Sequence, residues 1–148
     1  MRLSPTEARS RFVAARVARL ATVSADGRPH LVPVTFAVPD DQAESRRIVF
    51  VVDDKPKTTT KLRRLENIAA RPAVCLLVDV YDDDWSRLWW VRADGIARVL
   101  DPVADEAAEA VDALAARYPA YVERRPHGPV VSITVTAWTG WAAHTGSA

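Results

Sequence analysis

Seven consecutive residues, Lys55-Pro56-Lys57-Thr58-Thr59-Thr60-Lys61, set three ammonium groups and three hydroxyls side by side. They lie between an apolar, β-branched run, Ile48 to Val52, and a helix-like run carrying Leu62, Leu65 and Ile68. Where a strand ends and a helix begins, such groups join the free N–H groups of the first turn and suit a phosphate or carboxylate ligand. Lys55, Lys57 and Lys61 would supply charge, and Thr58, Thr59 and Thr60 hydroxyl or amide donors. The same stretch also fits a solvated loop in which one threonine caps the helix. It cannot be a nucleotide P-loop or a dinucleotide fingerprint, because no glycine lies between Gly27 and Gly95 to let a backbone wrap a phosphate.

Other chemistries find little support. The histidines, His30, His127 and His144, are scattered without ligand spacing to one another or to Cys75, so no metal is expected. His30, at the start of the second strand, reads as an edge residue before it reads as a ligand contact. Cys75 sits in the apolar run Ala73 to Val80, where a buried, unactivated thiol is expected. No Gly-x-Ser-x-Gly elbow and no Cys/His pair is present. Trp89 and Trp90 are adjacent on one strand, so their rings must take opposite faces, one in the core and the other against a partner subunit or a flat ring ligand, or simply a partly exposed strand aromatic. Core packing is the reading for Trp85, Trp138 and Trp141. Tyr81 has the chemistry of a proton donor and equally that of a strand-end aromatic, so no catalytic residue is nominated.

These residues need a scaffold, and 148 residues with 49% hydrophobic composition fit one domain, 1–148, with its own core. The 20 basic and 19 acidic residues nearly cancel, which leaves no broad footprint for nucleic acid or an anionic membrane. No segment approaches the roughly 18 apolar residues of a membrane span, and no leader is evident, so a cytosolic protein is expected.

Ser4-Pro5-Thr6-Glu7 is a helix start, with a capping hydroxyl, a first-turn proline and an acid three residues on. Phe12, Val13, Val17 and Leu20 follow at near-helical spacing. Arg19 to Val23 and Leu31 to Val38 read as strands joined through Asp26-Gly27, and Arg46 to Val52 as a central strand. A helix from about Thr59 must stop before Arg71-Pro72. Strand four is Ala73 to Tyr81, and Leu88 to Leu100 is one bent strand with a bulge at Asp94-Gly95. Asp101-Pro102 opens a third helix with Val103, Ala107, Val111, Leu114 and Tyr118 on one face, closed by Pro119. Val130 to Thr136, continuing through Trp138 and Trp141, is the last strand. The chain is thus mainly β (α+β): six antiparallel strands that would close into a small barrel without a long exposed edge, with three flanking helices.

Three stretches carry a family resemblance: Arg19 to His30 (RLATVSADGRPH), Lys55 to Arg64 (KPKTTTKLRR) with Asn67-Ile68, and Asp79 to Asp84 ahead of Trp85. Across roughly residues 4 to 143 the chain resembles the split β-barrel flavin and deazaflavin oxidoreductases, the pyridoxamine-phosphate-oxidase-like group. Within it, the chain is similar to the small single-domain branch that uses coenzyme F420. The resemblance implies the FMN-binding split-barrel fold and a homodimer with cofactor sites at the subunit interface. It implies that Lys55, Lys57, Thr58, Thr59 and Lys61 hold the phosphate and tail, and that Pro33, Val34 and Thr35 line the ring. Trp85 and Trp89 are further candidates, contributed across the dimer. The sequence has Lys-Thr-Thr where FMN-binding relatives carry a Ser-Arg-Lys clamp, which leans towards F420, with FMN the alternative cofactor. The implied reaction is hydride transfer to or from a small conjugated or quinone-like molecule. A non-catalytic dimer that carries a cofactor or haem is the reading from a different class.

Overall fold

The computed structural model describes residues 1–39, 46–52 and 59–144, residues 59–62 by backbone alone. In chain order the elements are α1 (Pro5–Ala14), β1 (Ala18–Val23), β2 (Pro29–Val34), β3 (Arg47–Val51), α2 (Thr59–Ala70), β4 (Ala73–Val80), β5 (Trp89–Val99), α3 (Asp105–Arg117), α4 (Pro119–Glu123) and β6 (Val130–Ala142). A short 3-10 turn, Trp85–Arg87, separates β4 from β5. Ser4 caps α1 as its sequence requires, its hydroxyl accepting from the Glu7 N–H at 3.2 Å.

The six strands form one antiparallel sheet in the order β2-β1-β4-β5-β6-β3. It curls until its ends nearly meet, and beyond β2 a single pair, Ala37 with Val49 of β3, joins them through two hydrogen bonds of 2.8 and 3.0 Å. The expected closed barrel is therefore a half-barrel pinned at one point, and β2 stays an edge strand along its length. Pro29 and Pro33 suit that place, since proline has no N–H to give a ladder and blunts pairing with another chain. The β5–β6 register shifts between Asp94 and Gly95, the expected bulge. There β6 passes so close that a Cβ on Gly95 would lie 2.6 Å from both Ile133 Cγ2 and the Thr134 carbonyl oxygen.

Both faces of β3 are covered, which explains its unbroken apolar run. Ile48 and Phe50 join Leu20, Leu76, Val91 and Ile133 in the barrel core, while Val49 and Val51 pack with Ala107, Ala110, Val111 and Leu114 of α3. Phe12 of α1 fills the barrel mouth, fully buried, with ring centroids 4.8 Å from Phe36 and 5.3 Å from Trp138.

Four expected positions are corrected. Val17 lies beyond the end of α1 and is exposed. Val103 is 88% exposed because Asp101 to Ala104 form a turn, with Asp101 Oδ1 accepting the Val103 N–H, and α3 begins only at Asp105. Trp85 and Trp141 lie outside the core, 74% and 39% exposed, because the first rides the 3-10 turn and the second alternates to the outer sheet face; Trp138 packs on the core as expected.

Glu106 ties α3 to the sheet, meeting Arg47 of β3 at 2.9 Å and also Arg98 of β5. The hydrogen bond from Arg98, backed by the charges of both arginines, holds its carboxyl below the ordinary value of 4.5. A carboxyl lowered by folding stabilises the fold above its unfolded pKa, and the contribution is lost as pH falls through the folded value. Urea midpoints measured from pH 7 to 3 should therefore drop less steeply below about pH 4.5 in Glu106→Gln than in the parent.

Candidate functional site

Of the residues expected to hold an anionic tail, Lys55, Lys57 and Thr58 lie outside the described residues, and Thr59 and Lys61 appear only as backbone in the first turn of α2. What is described is how the structure aims that turn. Asn67 Nδ2 donates to Thr22 Oγ1 of β1 at 3.1 Å with both side chains buried, and Ile68 enters the barrel core. The Arg71 guanidinium donates to the carbonyls of Ser24 and Ala25 at 2.9 and 3.0 Å. The helix is thereby clamped against the β1–β2 hairpin, whose turn passes through Gly27 at φ +87°.

Between helix and hairpin lies a cleft of about 530 Å³, lined by Ser24, Asp26, Arg28, His30, Arg63, Glu66 and Asn67 among others. Its size is that of a small-molecule site. The acid Asp26 is taken up by the hydroxyl of Ser24, which holds its carboxyl below the ordinary range. Arg28 and Arg63 form no ion pair among the described residues and leave the cleft two cationic forks. His30 Nδ1 is buried there without a hydrogen-bond partner among the described residues, a cost to the fold that an incoming polar group would offset.

None of Arg28, His30, Arg63, Asn67 or Arg71 was singled out as a site residue from sequence. A signal existed: Arg63, Asn67 and Arg71 recur every fourth residue, a hydrogen-bonding stripe on one side of α2.

The ring-lining candidates divide. Pro33 is exposed on the outer face of edge strand β2, next to the 68%-exposed Leu31 on the same face. Val34 turns inward and joins the barrel core, so only its backbone borders the edge. Thr35 shares a 3.0 Å hydrogen bond with the Tyr121 hydroxyl. Trp89 packs on the barrel core, with the Arg11 guanidinium 5.3 Å from its ring centroid, and Trp85 stands in solvent on the 3-10 turn. Pro33 and Trp89 occupy opposite faces of the sheet, and within one chain the structure does not bring them together.

The outer face of β1, β2, β4, β5 and β6 is unusually apolar for an uncovered sheet. Leu31, Leu77 and Trp141 are exposed, Cys75 and Trp90 half-buried, with the pairs Arg19–Asp79 and Arg92–Asp94 set among them. Burial pushes the Cys75 thiol pKa up, away from nucleophilic use. Among the described residues no cluster of His, Cys, Asp and Glu could hold a metal, and no helix is long and apolar enough to cross a membrane.

Residues 4–142 match a sequence family described as pyridoxamine 5'-phosphate oxidase. No significant match to a curated protein was found. Solved structures of the same fold include an FAD-binding protein from Mesorhizobium loti, with TM-score 0.72, 21% identity and 95% of each chain covered. The FAD-binding protein from Mycobacterium smegmatis gives 0.64 and 24%, over 95% of this chain and 98% of that one. The haem storage protein from Vibrio cholerae gives 0.67 and 15%, over 91% of each chain. Identities this low establish the fold.

Proposed function

Because this chain belongs to the pyridoxamine 5'-phosphate oxidase family, we propose that it is an oxidoreductase that binds coenzyme F420 and works as a homodimer on a small conjugated or quinone-like substrate. The cleft beside α2 carries the assignment: a cavity of about 530 Å³ with two arginines that form no ion pair and an imidazole nitrogen without a hydrogen-bond partner among the described residues, next to the helix whose first turn ends the Lys/Thr run. Those groups fit an anionic tail. Lys55, Lys57, Thr58, Thr59 and Lys61 would hold the tail from the helix start, Arg63 from further along the helix, and Arg28 and His30 from the hairpin side. A deazaflavin tail carries a phosphodiester and several carboxylates, and spread cations suit it better than one compact phosphate pocket would.

When bound, the ring supplies the hydride chemistry. The protein's part is to orient the ring and keep water away. Pro33 and the backbone of Val34 and Thr35 offer a flat edge, and the Thr35–Tyr121 hydrogen bond fixes where that edge ends. No side-chain nucleophile is called for, which suits a half-buried thiol held protonated.

The outer sheet face supports the homodimer. Leu77 sits in the middle of the sheet, on a strand paired on both sides, yet is exposed, and a second copy laid on this face would cover it. Leu77→Arg should turn a dimer into a monomer, measured by light scattering at micromolar concentration, and a parent chain that is monomeric would end this part of the proposal.

Titration of the apo-protein with F420 and with FMN, followed by tryptophan quenching, should give at least about ten-fold tighter F420 binding. The FAD-binding structures favour a second reading, a flavin enzyme on the same fold, and tighter FMN binding would select it. A haem absorbance band in the isolated protein, without hydride transfer, would overturn both.

A further inference from the structure

We propose that the groove between α1 and α3 is a second ligand site, separate from the cleft beside α2, and that it takes an amphipathic carboxylate: an acid group at the Arg16–Arg117 pair and a hydrocarbon tail along the groove. Arg117 ends α3, and Arg16 lies in the link from α1 to β1. The two are interlocked through backbone. Arg117 donates to the Ala15 carbonyl, Arg16 Nη1 donates to the Arg117 carbonyl at 3.1 Å, and Tyr118 Oη lies 2.8 Å from the Arg16 carbonyl oxygen. The Arg117 guanidinium is stacked 4.8 Å from the Phe36 ring centroid and 5.6 Å from that of Tyr118. Stacking of this kind fixes the plane of the fork in advance of any ligand.

The pair has no counter-charge. Arg19, Arg47, Arg87, Arg92, Arg98 and Arg125 each meet a carboxylate, whereas neither Arg16 nor Arg117 does so among the described residues. Arg117 is half-buried, and both that burial and the like charge of Arg16 disfavour its cation. Partial burial of the Arg117 cation beside a second cation is unfavourable, and an incoming carboxylate would relieve it with bidentate geometry. The groove beside the pair measures about 460 Å³, and its remaining wall is small and apolar: Val38, Ala37, Ala113 and Ala116 are typical. Among the described residues no acidic side chain lines it. Such a wall has nothing to offer a phosphate or a sugar, but it covers methylene groups.

The test is an amide NMR titration of the full chain with octanoate, butyrate and sulfate. Octanoate should shift the amides of Ala37, Val38, Ala113, Ala116 and Arg117 and bind about ten-fold more tightly than butyrate, because only the longer tail reaches the apolar wall. Sulfate should compete weakly. Arg117→Ala risks the fold, so the informative variant is Arg16→Glu: the Arg16 side chain is exposed, and it is the backbone carbonyl that Tyr118 holds. This variant should keep the parent spectrum, keep cofactor binding and lose octanoate affinity at least about ten-fold. Equal response to octanoate and butyrate, shifts that arise elsewhere, or undiminished binding by Arg16→Glu would each overturn the proposal. Cofactor titration of the same variant reads the cleft beside α2 separately.

Discussion

Replacing Lys57 and Lys61 together by alanine is expected to weaken cofactor binding by about 100-fold or more while leaving the unfolding midpoint essentially where it was. A hydrogen bond to a charged group contributes about 1.5–3 kcal/mol when the partner is lost, and two such contacts removed together exceed a hundred-fold in affinity. The fold is indifferent because α2 is held from its other end. Asn67 bonds Thr22 in the interior, Ile68 is in the core, and Arg71 grips the hairpin carbonyls. Tryptophan-quenching titrations and thermal melts on the same samples give both numbers. Unchanged affinity in a folded double variant would remove the Lys/Thr run from the site and leave Arg28 and Arg63 as its only cations.

The second large effect falls on the fold. Phe12→Ala should destabilise the protein by about 3–5 kcal/mol in urea unfolding, the range for deleting a buried ring whose surroundings cannot collapse. Phe12 is fully buried at the end of the curled sheet, between Phe36 beyond β2 and Trp138 of β6. A half-barrel pinned by one backbone pair depends on such a plug, because the strands at its two ends, β2 and β3, share no ladder. Trp138 emission should move to longer wavelength as water enters. A loss below about 1 kcal/mol would show that the mouth of the barrel refills without α1.

The two variants probe different layers of what sequence encodes. Local rules placed most elements within a residue or two: the cap at Ser4, the stop before Arg71-Pro72, and the bulge at Asp94-Gly95 are each determined by backbone chemistry within a few residues. They failed where a local signal had two outcomes. Asp101-Pro102 could open a helix or a turn, and the Asp101 carboxylate chose the turn by bonding the Val103 N–H. Trp85 and Trp141 looked like core residues by type, but only alternation and the 3-10 turn decide which side of the sheet a ring takes.

For the candidate site the sequence offered an expected ligand charge and nothing of the walls. A run of lysines and threonines after a strand suggests an anionic ligand by composition and fits a solvated loop as well. The cleft beside α2 is built from Arg28, His30, Arg63 and Asn67, and the contact of Asn67 with Thr22 joins residues 45 apart in sequence. No periodicity states which distant partner a helix stripe will meet.

By itself, then, the sequence determined what each segment could be, since hydrogen-bonding geometry and side-chain period are set over a few residues. It settled an antiparallel six-stranded sheet with helices on its flanks. Tertiary structure alone decided that the sheet curls into a half-barrel, that β2 remains an edge, that Leu77 is left bare on the outer face, and that two arginines from α3 and the α1–β1 link meet with no acid among the described residues. Those outcomes depend on packing between residues far apart in the chain, where the total burial of apolar surface, and no single local preference, selects the arrangement.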